Sequence, residues 1–254
     1  MQDFGKTPPL FGGYQLPAGD VEANFTAAAY MPDWEASVRR GFVRKVFGIL
    51  AVQLLLTTGF AAAVATTPTI REYATSSPSL LALSCVLGFA VVIALGCSER
   101  LRRTHPYNLI ALGVFTLSQA FLVAMIAATT PPHIMLAATG ITAALCVCLV
   151  CYALQTKYDF TMIGGSLLVV LVGLLIMGIL AAFMPQNRVL GTIYAAIGAV
   201  LFSVYLVYDV QLLLSGKRMQ LDPDEYVMAS LSIYLDILNL FLFLLQLLNS
   251  SNNN

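Results

Sequence analysis

Residues 230–248 read SLSIYLDILNLFLFLLQLL, a run of leucine, isoleucine and phenylalanine with one aspartate, Asp236, set inside it. The run suits a helix crossing a bilayer, which takes about 20 apolar residues. A second run, AIGAVLFSVYLVYDVQLLL at 196–214, repeats the oddity at Asp209. An aspartate at the centre of a membrane helix costs about 2.5–3.5 kcal/mol on insertion scales, so two in neighbouring runs point to a purpose. Of the 13 acidic residues in the chain, only these two lie well inside apolar runs.

The rest of the 254-residue chain has the same character: 59% of its residues are hydrophobic, 10% are charged, and the mean hydropathy is +0.82. A soluble domain carries about 25% charged residues. Buried helices of a soluble protein would also need polar faces, which these runs lack. The reading is an all-α integral membrane protein, a seven-transmembrane helix bundle with spans at 46–65, 79–97, 107–128, 134–154, 162–184, 191–214 and 226–248. Loop signals separate them, among them TTPTIREYATSSP, TTPPH, MPQNRV and SGKRMQLDPD. The transmembrane domain covers 39–248. Residues 1–38 are rich in Gly, Pro and aromatics without apolar periodicity, and are expected to be a disordered cytoplasmic tail. They lack the basic and apolar segments of a cleaved signal peptide, so the first span is expected to direct membrane insertion. Residues 249–254 form a short polar tail that contains the sequon Asn249-Ser250-Ser251.

Lysine and arginine set the expected orientation. With a cytoplasmic N-terminus, eleven of the 13 fall on the cytoplasmic side and only Arg71 and Arg188 on the other. The five cysteines lie in or at the ends of spans, with no pair in a loop across the membrane, so a disulfide framework is not expected. Cys146, Cys148 and Cys151 spread around their helix and read as small packing residues. His105 and His133 stand at loop edges without metal-ligand company. Nucleotide-binding and helix-borne zinc motifs are missing, and no cofactor, nucleic-acid partner or enzymatic activity is expected.

The last two spans are joined by a short loop and run antiparallel. Asp209 lies about five residues, roughly 8 Å, from the cytoplasmic end of its span, and Asp236 about ten residues, roughly 15 Å, into the next. The two carboxyls are thereby expected to meet. On the last span Glu225, Ser232, Asp236, Asn239 and Gln246 share one stripe at about 100° per residue. Lipid cannot satisfy such a stripe, so it is expected to face the bundle interior or a watered path. On the sixth span Gly191, Ala195, Ala199 and Ser203 form a small-residue ridge for close packing, expected about 120° around from Asp209. Two carboxylates at short range cannot both ionise cheaply and titrate as a unit. Such a pair serves to bind a divalent cation, to sense protons, or to act as a hydrolytic dyad. Their oxygens suit Ca²⁺ or Mg²⁺, and two carboxylates alone make a weak site, better fitted to passage than to storage.

SVYLVYDVQLLLSGKR at 203–218 and LDPDEYVMASLSIYLDILNLFLFLLQLL at 221–248 resemble the C-terminal signature of the Bax-inhibitor (TMBIM) family, Lifeguard branch. FVRKVFGILAVQLLLT at 42–57, RRTHPYNLIALGVFTL at 102–117 and QTKYDFT at 155–161 agree, so the resemblance runs from about Val38 to Leu248. It implies seven helices with the last one central and wrapped by the others. It implies a link to Ca²⁺ leak across membranes and to suppression of cell death, with Asp209 and Asp236 as a pH-sensitive dyad that weakly binds the passing ion. It also implies a second-helix arginine that latches the dyad; Arg100, Arg102 and Arg103 are the candidates here. Membrane lipid, Ca²⁺, protons and cell-death regulatory proteins are the partners this implies. An endomembrane, Golgi or ER, is the implied location, with plasma and lysosomal membranes as alternatives.

Two other functions fit the same residues. A non-transporting protein could damp death signalling through helix or tail contacts. An intramembrane aspartyl protease would also place two aspartates in neighbouring spans. The second site reads Tyr234-Leu235-Asp236, however, without the G-x-G-D of those enzymes and without a later P-A-L.

Overall fold

A computed structural model describes residues 21–69, 72, 76, 78–183, 188–214 and 223–252. The chain divides into two compact units, Met1–Arg40 and Gly41–Asn254. The described residues form eight α-helices and no strand: α1 (Val21–Thr66), α2 (Pro78–Cys97), α3 (Glu99–Arg103), α4 (Tyr107–Thr129), α5 (Pro132–Gln155), α6 (Gly164–Phe183), α7 (Arg188–Leu214) and α8 (Tyr226–Asn252). Seven of the helices are long and apolar enough to cross a membrane, over Ser37–Thr66, Ser79–Cys97, Tyr107–Thr129, Pro132–Gln155, Phe160–Ala181, Val189–Leu214 and Tyr226–Ser250. The protein is a multi-pass membrane protein.

Helix boundaries fall where local chemistry puts them. Ser98 caps the short α3 by accepting from Leu101 N at 3.2 Å. Asp159 accepts from Thr161 N at 3.0 Å and starts the 3₁₀ turn Phe160–Ile163 that leads into α6. Pro132 occupies the first turn of α5, where its missing N–H costs nothing. Inside the spans, hydroxyls fold back onto carbonyls one turn earlier, as Thr57 does to Gln53 O at 2.8 Å and Thr142 to Ala138 O at 2.7 Å. Neither lipid nor a dry bundle interior offers such groups water to bond instead.

Two expectations are revised. The first helix begins at Val21, within the stretch expected to be tail, and residues 1–20 lie outside the described residues. Its first half is too polar to stand out as an apolar run. The ridge on α7 also does not stay 120° from Asp209. Steps of four overshoot a 3.6-residue turn by about 40° each, so Gly191 comes back to the face of Asp209, about five full turns away. Gln246 of α8 accordingly donates to Gly191 O at 3.3 Å.

The last helix holds the centre. Val227, Ser230, Leu231, Ile233, Tyr234, Asp236 and Leu240 are all buried and together cover most of the circumference of α8, with Met228, Ser232, Leu235 and Asn239 half-buried on the remaining side. It packs along α7 over most of its length and also meets α4 and α5, while α1 hydrogen-bonds to it. By contrast α2 and the segment Phe160–Ala181 present nearly all of their surface outward, with 11% of each apolar window buried against 39% for the last span. The side chains that α6 turns outward, such as Val169, Leu175 and Ile179, are apolar, as lipid requires.

Candidate functional site

α7 and α8 bring Asp209 and Asp236 within hydrogen-bonding reach of each other. Asp236 is buried and Asp209 half-buried. Oδ2 of Asp236 finds no donor from any other described group. A carboxylate left like that in a protein interior is strongly disfavoured. A single proton held between two neighbouring carboxyls would supply a donor and remove one of the two charges. Cys146 of α5 and Tyr205 of α7 stand within electrostatic range of Asp236, and Tyr205 and Tyr208 within range of Asp209. Among the described residues no group of three or more His, Cys, Asp or Glu is placed to hold a metal ion, so a cation at the pair would take its remaining oxygens from backbone, hydroxyls or water.

The polar stripe of α8 is only partly interior. Ser232 and Asn239 are half-buried, and Asn239 Nδ2 donates back to Leu235 O at 2.8 Å. Gln246 is exposed at the far end. Glu225 lies at the opposite end, in the 3₁₀ turn Pro223–Glu225 that enters α8.

The arginines named as latches meet Glu225. Arg102 Nη2 lies 3.3 Å and Arg103 Nη2 3.5 Å from the same Oε1. Arg103 Nε also lies 3.3 Å from Glu99 Oε1, and Arg100 is exposed. Glu225 precedes Asp236 by eleven positions, about 16 Å along a helix. With their guanidiniums on Glu225, Arg102 and Arg103 do not reach the dyad in this structure.

A second polar line on α8 is absent from the sequence reading. Tyr226, Ser230 and Tyr234 recur every four residues on the side away from Asp236. Tyr226 Oη accepts from Asn108 Nδ2 of α4 at 3.0 Å. Ser230 donates to Tyr226 O at 2.7 Å and approaches Val46 O of α1 at 3.4 Å. Tyr234 Oη lies 2.7 Å from Thr57 Oγ1 of α1. Because Thr57 gives its own proton to Gln53 O, Tyr234 is the donor in that bond. Gln53 Nε2 continues the network to Thr116 Oγ1 of α4 at 3.0 Å. Neither tyrosine nor serine breaks an apolar run, so the sequence carries little sign of this line. The signal available was Gln53, an amide inside the first span.

Gln211, two residues beyond Asp209, does a different job. Its Nε2 donates to Tyr158 O at 3.0 Å and its Oε1 accepts from Phe160 N at 2.8 Å. One buried amide thus ties the α5–α6 linker to α7 beside the dyad. Replacing it with leucine leaves a backbone N–H and a C=O without these partners, at about 1–3 kcal/mol. The expected result of Gln211→Leu is faster amide hydrogen exchange at Phe160 and its neighbours, with exchange in the middle of α8 unchanged.

Comparison with known proteins agrees with this architecture. The family described as Inhibitor of apoptosis-promoting Bax1 matches residues 39–253. Proteins named Golgi anti-apoptotic protein from vaccinia virus strains Lister, LC16m0 and LC16m8 are each 36% identical over 232 residues, covering 91% of this chain and 94% of theirs. Seven apolar helices around a central last one, a carboxyl pair across α7 and α8, and a match over nearly the whole membrane domain lead to one assignment: the chain belongs to the Bax inhibitor family.

Proposed function

We propose that the protein is a proton-gated Ca²⁺ leak pathway of an endomembrane, Golgi foremost, with a cytoplasmic N-terminus, and that it suppresses cell death by lowering releasable Ca²⁺. The observation that carries the reading is the Asp209–Asp236 pair, whose buried oxygen lacks any donor but a shared proton. The names of the viral relatives support the location and the anti-apoptotic role. With the proton in place the carboxyls bridge α7 to α8 and the path is shut. As pH rises and the proton leaves, two anions face each other across the same gap. Their repulsion drives α7 away from α8, and the freed oxygens attract Ca²⁺.

The test is Ca²⁺ entry into proteoliposomes across about pH 5 to 8, a range that brackets the compartments concerned. Wild-type flux is expected to rise with pH, and Asp209→Asn/Asp236→Asn to flatten the profile, since amides keep a neutral bridge at every pH. An unchanged pH profile in the double variant would sink the gating role. No flux from well-folded wild type would favour a non-transporting interaction protein, which neutralised-dyad variants would then still let protect cells. Cleavage of a reporter transmembrane peptide, abolished by Asp236→Ala, would instead establish an aspartyl protease.

A further inference from the structure

The side of α8 that its neighbours leave half-covered carries two polar side chains, Ser232 and Asn239, about one turn to either side of the buried Asp236. At about 100° and 1.5 Å per residue, the three fall within about 60° of one another along about 10 Å of the helix. Asn239 Nδ2 donates to Leu235 O at 2.8 Å. The reverse orientation of the amide would press two oxygens together, so the assignment is forced. The side chain therefore lies back over the turn that carries Asp236 and turns its Oδ1 outward. That oxygen has no donor among the described residues. Ser232 is equally unengaged. Thr57, Thr116, Thr142, Ser203 and Ser230 fold their hydroxyls onto the carbonyl one turn earlier, and Ser232 does not. Between the two stands Asp236, whose buried Oδ2 also has no donor. No lysine or arginine among the described residues pairs with Asp209 or Asp236.

Hydrocarbon has nothing to offer such a column of oxygens, and a cation does. Ca²⁺ takes about six to eight oxygen ligands, amide carbonyls and hydroxyls among them, which is more than two carboxyls hold. We propose that Asn239 Oδ1 is a neutral ligand beside the carboxyl pair, completing with Asp236 Oδ2 a transient site for a divalent cation, and that Ser232 Oγ is the next oxygen the ion meets toward the Tyr226 end. The inference rests on the carboxyl pair as the ion's place and adds the residue that selects the ion. A set of oxygens drawn largely from one helix wall is irregular. The flexible shell of Ca²⁺ accepts that, whereas Mg²⁺ demands near-ideal octahedral geometry and keeps its waters.

The experiment is thermal unfolding of the purified full chain in neutral detergent, titrated with CaCl₂, MgCl₂ or NaCl at matched ionic strength. It is run at the alkaline end of the range used for flux, where the anionic pair is favoured. Ca²⁺ is expected to raise the unfolding temperature saturably, and Mg²⁺ and Na⁺ to do so less. Asn239→Leu should raise the half-saturating Ca²⁺ concentration about tenfold, the scale for losing one oriented group at a metal site. Asn239→Thr should bind nearly as wild type, because a threonine hydroxyl also donates to the carbonyl one turn earlier and keeps its lone pairs outward. Asn239→Val, the same shape without the oxygen, should behave like the leucine variant, so the threonine–valine comparison decides the matter even if Asn239→Leu folds poorly. A Ca²⁺ shift abolished by Asp236→Asn but unchanged in Asn239→Leu and Asn239→Val would overturn the role of Asn239 and leave the carboxyl pair as the ion's place. Equal shifts from Na⁺ would reduce the effect to charge screening and overturn it too. So would a wild type that Ca²⁺ does not shift, in which case the flux measurement still decides separately on the leak.

Discussion

Tyr234→Ala is expected to destabilise the bundle by about 3–5 kcal/mol, the range for removing a fully buried aromatic side chain. Tyr234 has no exposed surface, meets Phe115 edge-on with ring centroids 6.1 Å apart, and touches α1 through Thr57. Within a bilayer, apolar transfer does little to hold helices together, and dispersion between close-packed atoms does most of it. A void at this point forfeits those contacts on α1, α4 and α8 at once. Tyr234→Phe separates the terms, because it keeps the ring and loses only the hydroxyl. Interhelical hydrogen bonds in membrane proteins average about 0.6 kcal/mol with a ceiling near about 1.7. Packing is therefore the larger contribution, and the phenylalanine variant should unfold close to wild type while the alanine variant does not. Thermal unfolding in detergent checks both. A phenylalanine variant as unstable as the alanine one would mean that the hydroxyl network, and not the ring, holds α1 in place.

A leucine at position 198 is expected to force α7 and α8 apart. A Cβ built there would stand 2.5 Å from the Phe243 ring of α8, well inside contact distance. The ring cannot easily give way, since it stacks on Phe202 at 5.8 Å and meets Tyr194 edge-on at 5.4 Å. Overpacking of this kind costs about 1–3 kcal/mol, and the bulk beyond Cβ moves Gly198→Leu to the upper end. The double variant Gly198→Leu/Phe243→Ala vacates the ring's space and should recover much of the loss, with a coupling of about 0.5–3 kcal/mol for residues in contact. Additive losses would place the strain elsewhere. Under the gating proposal, Gly198→Leu alone also weakens the pH dependence of flux, because α7 carries Asp209.

Most of the fold was legible because lipid enforces a simple rule. A helix that faces hydrocarbon must be apolar for its whole length, so the spans stand out, and the expected ends at Ser79, Cys97, Tyr107, Leu214 and Tyr226 coincide with those of the structure. The carboxyl pair was legible for the same reason, since an acid inside an apolar run is conspicuous. What the sequence hid is polarity that causes no conflict with its surroundings. Tyr226, Ser230 and Tyr234 pass as part of the apolar run, yet they hold α8 to α1 and α4. The amides of Gln53 and Gln211 do stand out in their spans, but their partners do not. Arg102 and Arg103 are a different case. Spacing places them just past the second span, on what the structure shows as the short α3, but does not choose between the dyad and Glu225 as their partner. That choice depends on the turn Pro223–Glu225, whose geometry no periodicity reveals.

The two sides of α8 differ in what can change them. The side toward α1 and α4 is fastened by hydroxyls and amides, which neither gain nor lose charge between the pH of a secretory lumen and that of the cytosol. Under the gating proposal, the side toward α7 is fastened by one shared proton. Acidity can therefore act on this helix from one direction only, as on a door hung along one edge and bolted along the other. Removing the bolt need not loosen the hinge, so the bundle has a way to open repeatedly without coming apart.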